Sequence, residues 1–219
     1  MASTSEIKIS FESITETKKV TDAMYMISSV KMRRAKREVE KTAPYFDTLK
    51  KEISELFRYI PSTENRYFRA RKVKNGEHLR HGILLVTADK GLAGAYNHAA
   101  IKVAEEYMSR HPETMLFIVG EYGRRYFAQK KIAFEKDFTY SAELPNIWEA
   151  GKICAEMLEY YDNGTLDEIN IIYTDYKGGK PCECKRNCLL PLERSQFGGT
   201  ERETETGKKE FLPSPDAVL

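Results

Sequence analysis

The sequence lacks the features that would place it in several large classes of protein. Its 219 residues contain no apolar run near the ~20 residues that a membrane span requires. Residues 1–6 have neither the apolar core of a signal peptide nor the arginine-rich pattern of a transit peptide. The 35 basic residues nearly balance 33 acidic ones, so the chain has no global signature of nucleic-acid binding. These absences predict a protein that stays where it is made, or that meets a membrane only through partners.

Cysteine is scarce, with four residues in the chain. Cys154 stands alone, whereas Cys182, Cys184 and Cys188 form a cluster. So few and so uneven a set does not make a disulfide framework and favours a reducing cytosol. The cluster has two functional interpretations: a zinc site, or thiols whose pKa is lowered by nearby cations for redox chemistry. Candidates for a fourth zinc ligand are His78, His81 and Cys154. Because the usual paired C-x-x-C spacing is missing, a surface loop without such chemistry is the favoured interpretation.

Helix breakers are nearly absent from the first sixty residues, which contain no glycine and one proline, Pro44. Ser3 and Glu6 have the spacing of a capping box at a helix start. Following the 4-3 spacing from Ile7 to Leu56, 11 of 15 positions are apolar, where composition alone would supply about six. The pattern predicts one helix from about residue 5 to 59, roughly 80 Å long, kinked at the proline. Its seven-residue period predicts a partner helix wound around it as a coiled coil.

A basic segment lies in the middle of this helix. It places five cations within seven residues, without an acid among them. The five are Lys31, Arg33, Arg34, Lys36 and Arg37. From the residues alone, the favoured interpretation is a solvated helix face.

The pattern changes after residue 80, where continuous apolar strands alternate with helices. Such alternation predicts an α/β fold with a largely parallel, five-stranded sheet covered on both faces. The predicted strands are 82–87, 115–120, 132–138, 169–174 and 188–192, the last two forming a hairpin. The predicted helices are 97–109, 122–131 and 147–161.

These patterns predict four segments. They are a long helix (1–60), a linker (61–80), the α/β domain (81–193), and a second linker with the start of another helix (194–219). In the last segment, Ser214, Pro215 and Asp216 form a helix-start signal. We expect the helix to be truncated, and the missing part to be the partner of the first helix.

Motifs for catalysis or nucleotide binding are missing. The loop from Gly91 to Gly94 follows a strand but matches neither G-x-G-x-x-G nor the P-loop, so it predicts a tight turn rather than a phosphate cradle. We expect no cofactor. Two alternatives remain: a small α/β enzyme or nucleotide-binding protein with a dimerising helix, and a shortened paralogue with another binding role.

Several stretches, taken in order along the chain, resemble the gamma subunits of F-type ATP synthases. In the long helix they are residues 21–26, 30–35 and 43–45; later they are 89–97, 120–124, 161–167, 189–192 and 213–216. The resemblance implies that the N-terminal helix pairs with a C-terminal helix in an antiparallel coiled coil, beside a Rossmann-like α/β domain. It further implies a non-catalytic rotor subunit of a proton-transporting ATP synthase, with the identity of the coupling ion left open.

The resemblance also implies partners and a place in the cell. The implied partners are the alpha, beta, epsilon and delta subunits and the membrane c-ring, with no nucleic acid. The implied location is peripheral, on the cytoplasmic face of a bacterial plasma membrane. In this family the segment beginning at Met24 meets acidic lever loops of the catalytic subunits, which assigns Met24, Lys31, Arg33 and Arg34 to that contact.

Overall fold

The structure, a computed structural model, divides into two compact units. One is built on the N-terminal helix, and the other is an α/β unit within residues 60–196. The described residues are 3–59, 65–68, 79–143, 145–176 and 183–197. The predicted helix start at 214–216 and most of the predicted first linker lie outside the described residues.

The N-terminal helix, α1, runs from Thr4 to Tyr59 and confirms the predicted long helix. A capping box holds its first turn. The Glu6 carboxylate accepts a hydrogen bond from the Ser3 backbone N–H at 2.8 Å, and the Ser3 hydroxyl accepts one from the Ser5 N–H at 3.2 Å. The 56 residues give a helix about 84 Å long.

Threonines within the apolar stripe of α1 satisfy their hydroxyl groups inside the helix. Thr21 Oγ1 donates to the Thr17 carbonyl at 2.9 Å, and Thr42 Oγ1 donates to the Glu38 carbonyl at 2.6 Å. This bonding to the i−4 carbonyl leaves the threonine methyl groups available for apolar contacts. The two threonines therefore interrupt the stripe less than their residue type suggests.

The α/β unit is built on a sheet with the strand order β2-β1-β3-β4. The strands are β1 (His81–Val86), β2 (Met115–Val119), β3 (Glu168–Asp175) and β4 (Glu183–Leu190). Strand β1 pairs in parallel with both β2 and β3, and β4 pairs antiparallel with β3. The largely parallel sheet and the antiparallel last pair are as predicted, because continuous apolar runs suit strands that are covered on both faces.

Helices cover both faces of this sheet. They are α2 (Tyr96–Arg110), α3 (Glu121–Gln129) and α4 (Ile147–Asp162). One face packs on α2 and α3 through buried residues that include Ile101 and Phe127. The other packs on α4 through Met157 and Tyr161. None of the helices in the described ranges has the length and apolar character that crossing a membrane requires.

The prediction of a fifth strand at 132–138 is wrong, since that segment is irregular and the sheet of the described residues has four strands. The segment runs beside β2, and two isolated backbone hydrogen bonds join the two stretches of chain. The Glu135 N–H donates to the Leu116 carbonyl at 2.8 Å, and the Gly120 N–H donates to the Tyr140 carbonyl at 2.9 Å. A regular parallel ladder continued from the first bond would bring the Gly120 N–H to the carbonyl of residue 137, but the Gly120 N–H bonds Tyr140, so the two chains do not stay in register.

Candidate partner-binding surface

The long helix exposes large apolar side chains along most of its length. Between residues 7 and 49 their relative exposure ranges from 41% at Leu49 to 74% at Tyr25. The set comprises Ile7, Ile9, Phe11, Ile14, Val20, Met24, Tyr25, Met26, Ile27, Val30, Met32, Val39, Tyr45, Phe46 and Leu49. Contiguous exposed apolar surface of this extent marks an interaction site.

Between residues 20 and 32 the apolar side chains surround the helix rather than forming one stripe. Successive residues are about 100° apart around a helix axis, so Met26 lies roughly 160° away from Met24, on the opposite side. Val30 lies on the Met26 side, and both of these side chains are more than half exposed, at 69% and 57%. A helix that is apolar all round is one that is enclosed by other protein. This segment therefore has contact surface for more than one neighbour.

The structure divides the four predicted contact residues between two sides of α1. Lys31 is seven residues after Met24 and lies within about 20° of it around the axis. Arg34 is about 80° away, and Arg33 is on the opposite side. Sequence reasoning grouped the four by proximity along the chain. The helix places them so that no single flat surface touches all of them.

The charges of this segment are only partly neutralised within the helix. Lys36 lies 3.8 Å from Glu40, and Lys41 lies 3.0 Å from Glu38. Arg33 and Arg34 have no carboxylate partner among the described residues. Exposed ion pairs of this kind contribute little to stability. Two guanidinium groups are therefore available to an acidic partner.

The cysteine cluster does not form one compact site in the described part of the chain. Cys184 and Cys188 are four residues apart on β4, about 13 Å between Cα atoms, whereas each Zn–S bond is only about 2.3 Å. Burial raises the pKa of both thiols, that of Cys188 to about 11, which does not fit the interpretation of thiols activated by nearby cations. Cys154 is exposed on α4, and Cys182 and His78 lie outside the described residues.

His81, the remaining candidate ligand, belongs to a hydrogen-bonded network at the amino end of the parallel strands. Its Nδ1 lies 2.8 Å from Tyr107 Oη, and Tyr107 donates to Glu168 Oε1 at 3.1 Å. Asn170 Nδ2 donates to the same carboxylate oxygen at 2.6 Å. The rings of His81 and His111 are 4.1 Å apart. These contacts explain His81 as a structural residue.

The free energy of unfolding of this protein should decrease as the pH falls below 7, in part because of His81. Burial lowers the pKa of His81 below its ordinary 6.5, assisted by His111 and opposed by Glu168 and Asp167. The unfolded chain then binds a proton that the folded chain does not, so the stabilisation is present above about pH 6.5 and lost as the pH falls through the folded value. Urea unfolding between about pH 7 and pH 5 should show a shallower pH dependence for His81→Gln than for the parent chain. Equal slopes for the two would contradict the assignment.

The loop after β1 is held by hydrogen bonds to other parts of the α/β unit. Asn97 Oδ1 accepts from the Ala88 N–H at 2.8 Å, and Asp89 accepts from the N–H groups of Glu121 (3.0 Å) and Ala142 (2.9 Å). Burial opposes the charge of Asp89, but hydrogen bonds, the strongest from the Ser141 hydroxyl, outweigh it and lower its pKa. These bonds occupy the polar groups that a ligand at this sheet edge would use.

Sequence reasoning missed an exposed residue in the same loop. Leu92 is 92% exposed and has a left-handed backbone, with φ of 61°. Both properties are unfavourable for leucine. From the sequence alone, Leu92 is predicted to be part of a tight turn, because Gly91 and Gly94 on either side of it are typical turn residues.

Known proteins resemble this chain over nearly its full length. A family model described as ATP synthase matches residues 3–219. The ATP synthase gamma chain of Acetivibrio thermocellus is 33% identical over 225 residues, covering 100% of this chain and 76% of the relative. The sodium-ion-specific ATP synthase gamma chain of Acetobacterium woodii is 29% identical over 216 residues, covering 98% of this chain and 70% of that relative.

A solved structure supports the fold. The central-stalk and c-ring part of the mitochondrial ATP synthase of Tetrahymena thermophila contains a chain that matches with a TM-score of 0.59 at 18% identity. The match covers 91% of this chain and 83% of that one. The match of a family model to nearly every residue, with a gamma-chain relative at 33% identity, shows that this chain belongs to the ATP synthase gamma-chain family.

Proposed function

We propose that this chain is the central-stalk rotor subunit of an F-type ATP synthase and couples rotation to the catalytic sites of its partners. The observation that carries the proposal is α1, a helix of 56 residues with apolar side chains exposed on all sides between residues 20 and 32. Membership of the gamma-chain family supports it. The alternative of a small nucleotide-binding enzyme is not favoured, since the relatives are stalk subunits.

The mechanism that fits α1 is differential contact. A catalytic site changes state only as far as its contacts with the rotor distinguish one state from another. Moving a site from a population of 1:99 to 99:1 requires about 5.5 kcal/mol of such preference. A stiff helix with different side chains on each side presents a different surface to each neighbour as it turns. The chain itself then needs no catalytic residue.

We assign the partner contact to Met24, Lys31, Arg33 and Arg34. Because these residues lie on different sides of the helix, each meets a given catalytic subunit at a different point of the rotation. Lys31 and Met24 would contact one subunit while Arg33 faces the subunit opposite. Acidic lever loops on the catalytic subunits are the complement to these cations, and such complementarity sets specificity and the rate of association.

The further partners in this proposal are the alpha, beta, epsilon and delta subunits and the c-ring. The solved relative is described together with a c-ring, which supports the last of these. The complex is membrane-associated, and we propose a peripheral position on the cytoplasmic face of a bacterial plasma membrane. We propose the proton as the coupling ion. The sodium-specific relative makes the ion a property to be measured on the complex.

The proposal is tested by purifying the tagged chain from its native host. We expect the alpha, beta and epsilon subunits to purify with it in stoichiometric amounts. A preparation that contains none of them would refute the rotor assignment.

The contact residues are tested by charge reversal in the assembled complex. Arg33→Glu combined with Arg34→Glu should reduce ATP-driven ion pumping roughly tenfold, the scale of a typical coupling free energy between sites. The matched control is Lys50→Glu combined with Lys51→Glu, which makes the same charge change at exposed positions of the same helix. Equal loss in both double variants would show that the effect comes from net charge rather than from the proposed contact.

A further inference from the structure

A basic pocket lies on the α/β unit between α3 and the irregular segment that follows it. Its volume is about 600 Å³, which is within the range of small-molecule sites. We call it the α3 pocket; its charged and aromatic lining residues are Glu121, Arg124, Arg125, Lys131, Phe134 and Lys136.

The one carboxylate in the lining is already neutralised. Glu121 Oε2 accepts from Arg124 Nη2 at 3.0 Å, and Glu121 Oε1 accepts from Arg125 Nε at 3.2 Å. These two hydrogen bonds lower the pKa of Glu121 and keep it charged. Arg124 Nε also donates to Glu121 Oε2, and Nη1 donates to the carbonyls of Ile118 and Tyr140, so four of its five N–H groups are used. Arg124 is therefore structural, and the outer nitrogens of Arg125 remain available.

Two lysines of the pocket have side chains with no ion pair or hydrogen bond within the described residues. They are Lys131 and Lys136, both exposed. The adjacent Lys130 is different, since its Nζ donates to Glu105 Oε1 at 3.0 Å and lies 4.8 Å over the Tyr126 ring. Of these two neighbouring lysines, Lys131 is therefore the one whose ammonium group is available to a ligand.

Lys131 occupies a backbone position that favours glycine. The Lys131 N–H donates to the Ala128 carbonyl at 3.1 Å, and the Ile132 N–H donates to the Phe127 carbonyl at 3.0 Å, which is the bonding of a Schellman motif. Lys131 is its left-handed residue, with φ of 56°. A side chain in this conformation costs about 1 kcal/mol or more. A lysine stands in this conformation despite that cost, and a backbone outlier of this kind motivates a functional hypothesis.

The pocket also has an apolar floor. Phe134 is half-buried and packs on the core formed by α2, α3 and the sheet. Glu135 and Asp137, the acids on either side of Lys136, are not among the residues that line the pocket. The pocket thus combines three available cations with an apolar surface and no free carboxylate in its lining.

We propose that the α3 pocket binds a phosphate-bearing anion, with its charged group between Arg125, Lys131 and Lys136 and any apolar part against Phe134. This chemistry has two sources: a free di- or polyphosphate, and the headgroup of an anionic phospholipid. The proposal does not depend on the rotor function.

The first arm of the test measures pyrophosphate binding to the full chain by calorimetry at low salt. Lys131→Gln and Lys136→Gln should each weaken binding about fivefold, as the loss of one nearby cation predicts, and the double variant roughly twentyfold. Lys102→Gln, at an exposed lysine on α2, is the control and should bind as the parent does.

Lys131→Gly adds a second readout, since it should weaken binding while raising thermal stability by removing the side chain from a left-handed backbone position.

The second arm measures co-flotation with phosphatidylcholine vesicles, with and without about one third phosphatidylglycerol. Flotation that requires the anionic lipid and both lysines supports a lipid headgroup as the source. Pyrophosphate binding without flotation supports a free phosphate. Pyrophosphate binding that is unchanged in the double variant, or binding of a polyglutamate peptide with neither phosphate probe bound, would overturn the proposal.

Discussion

Ser28→Pro is expected to abolish the coupling of ATP hydrolysis to ion transport in the assembled ATP synthase. Position 28 lies in the middle of the segment of α1 that is apolar on all sides. Proline there removes the hydrogen bond to the carbonyl of residue 24 and places its ring against that carbonyl, at a cost of about 3 kcal/mol or more. A broken or bent helix cannot present its two sides at fixed angles to surrounding subunits. ATP-driven ion pumping is the measurement, with ATPase activity recorded in parallel.

Two controls make this result specific. Ser28→Ala should pump as the parent does, because alanine keeps the helix and the serine hydroxyl has no partner among the described residues. Pro44→Ala should also pump, since α1 already continues through Pro44. Full coupling in the Ser28→Pro complex would contradict the proposal that α1 acts as a stiff rotor.

Phe138→Ala is expected to destabilise the α/β unit by about 3–5 kcal/mol, the usual cost of emptying a buried phenylalanine site. Phe138 is 0% exposed although it belongs to no helix or strand. Its ring packs edge-on against Phe117 at 5.4 Å and against Tyr140 at 4.7 Å. The measurement is urea unfolding of the full chain, followed by a probe of the α/β unit such as near-ultraviolet circular dichroism.

The matched control for this change is Thr139→Ala. Thr139 is the next residue along the same irregular segment and is exposed, so its replacement should change stability by less than about 0.5 kcal/mol. A similar small effect for Phe138→Ala would mean that the segment is not part of the core.

Residues 132–138 show what the sequence could not predict, namely whether an apolar segment joins the sheet as a strand. Ile132, Phe134 and Phe138 are apolar, and their burial was foreseeable from residue type. A strand additionally needs a continuous ladder to β2, in which each backbone hydrogen bond fixes the partners of the next. Here the Gly120 N–H bonds the carbonyl of Tyr140, three residues beyond the acceptor that the bond from Glu135 to Leu116 would set, and no local sequence pattern encodes that offset.

The partner contact was likewise predictable in part from the sequence and in part only from the structure. The grouping of Met24 with Lys31, Arg33 and Arg34 followed from resemblance and from proximity along the chain. Their distribution around the axis followed once α1 was known to be one unbroken helix. The α3 pocket had no sequence signal, because Lys131 and Lys136 look like ordinary solvated charges until the coordinates show one left-handed residue and a shared cavity.

The sequence alone determined the long helix, the alternation of strands and helices, and the family resemblance. These depend on local properties: the spacing of apolar residues, the capping box of Ser3 and Glu6, and the rarity of glycine and proline. Tertiary structure alone decided the number of strands, the raised pKa of Cys184 and Cys188, and the pairing of Lys130 with Glu105 beside the unpaired side chain of Lys131. Each of these depends on which groups from distant parts of the chain come within a few ångströms of each other, and neither composition nor period encodes that distance.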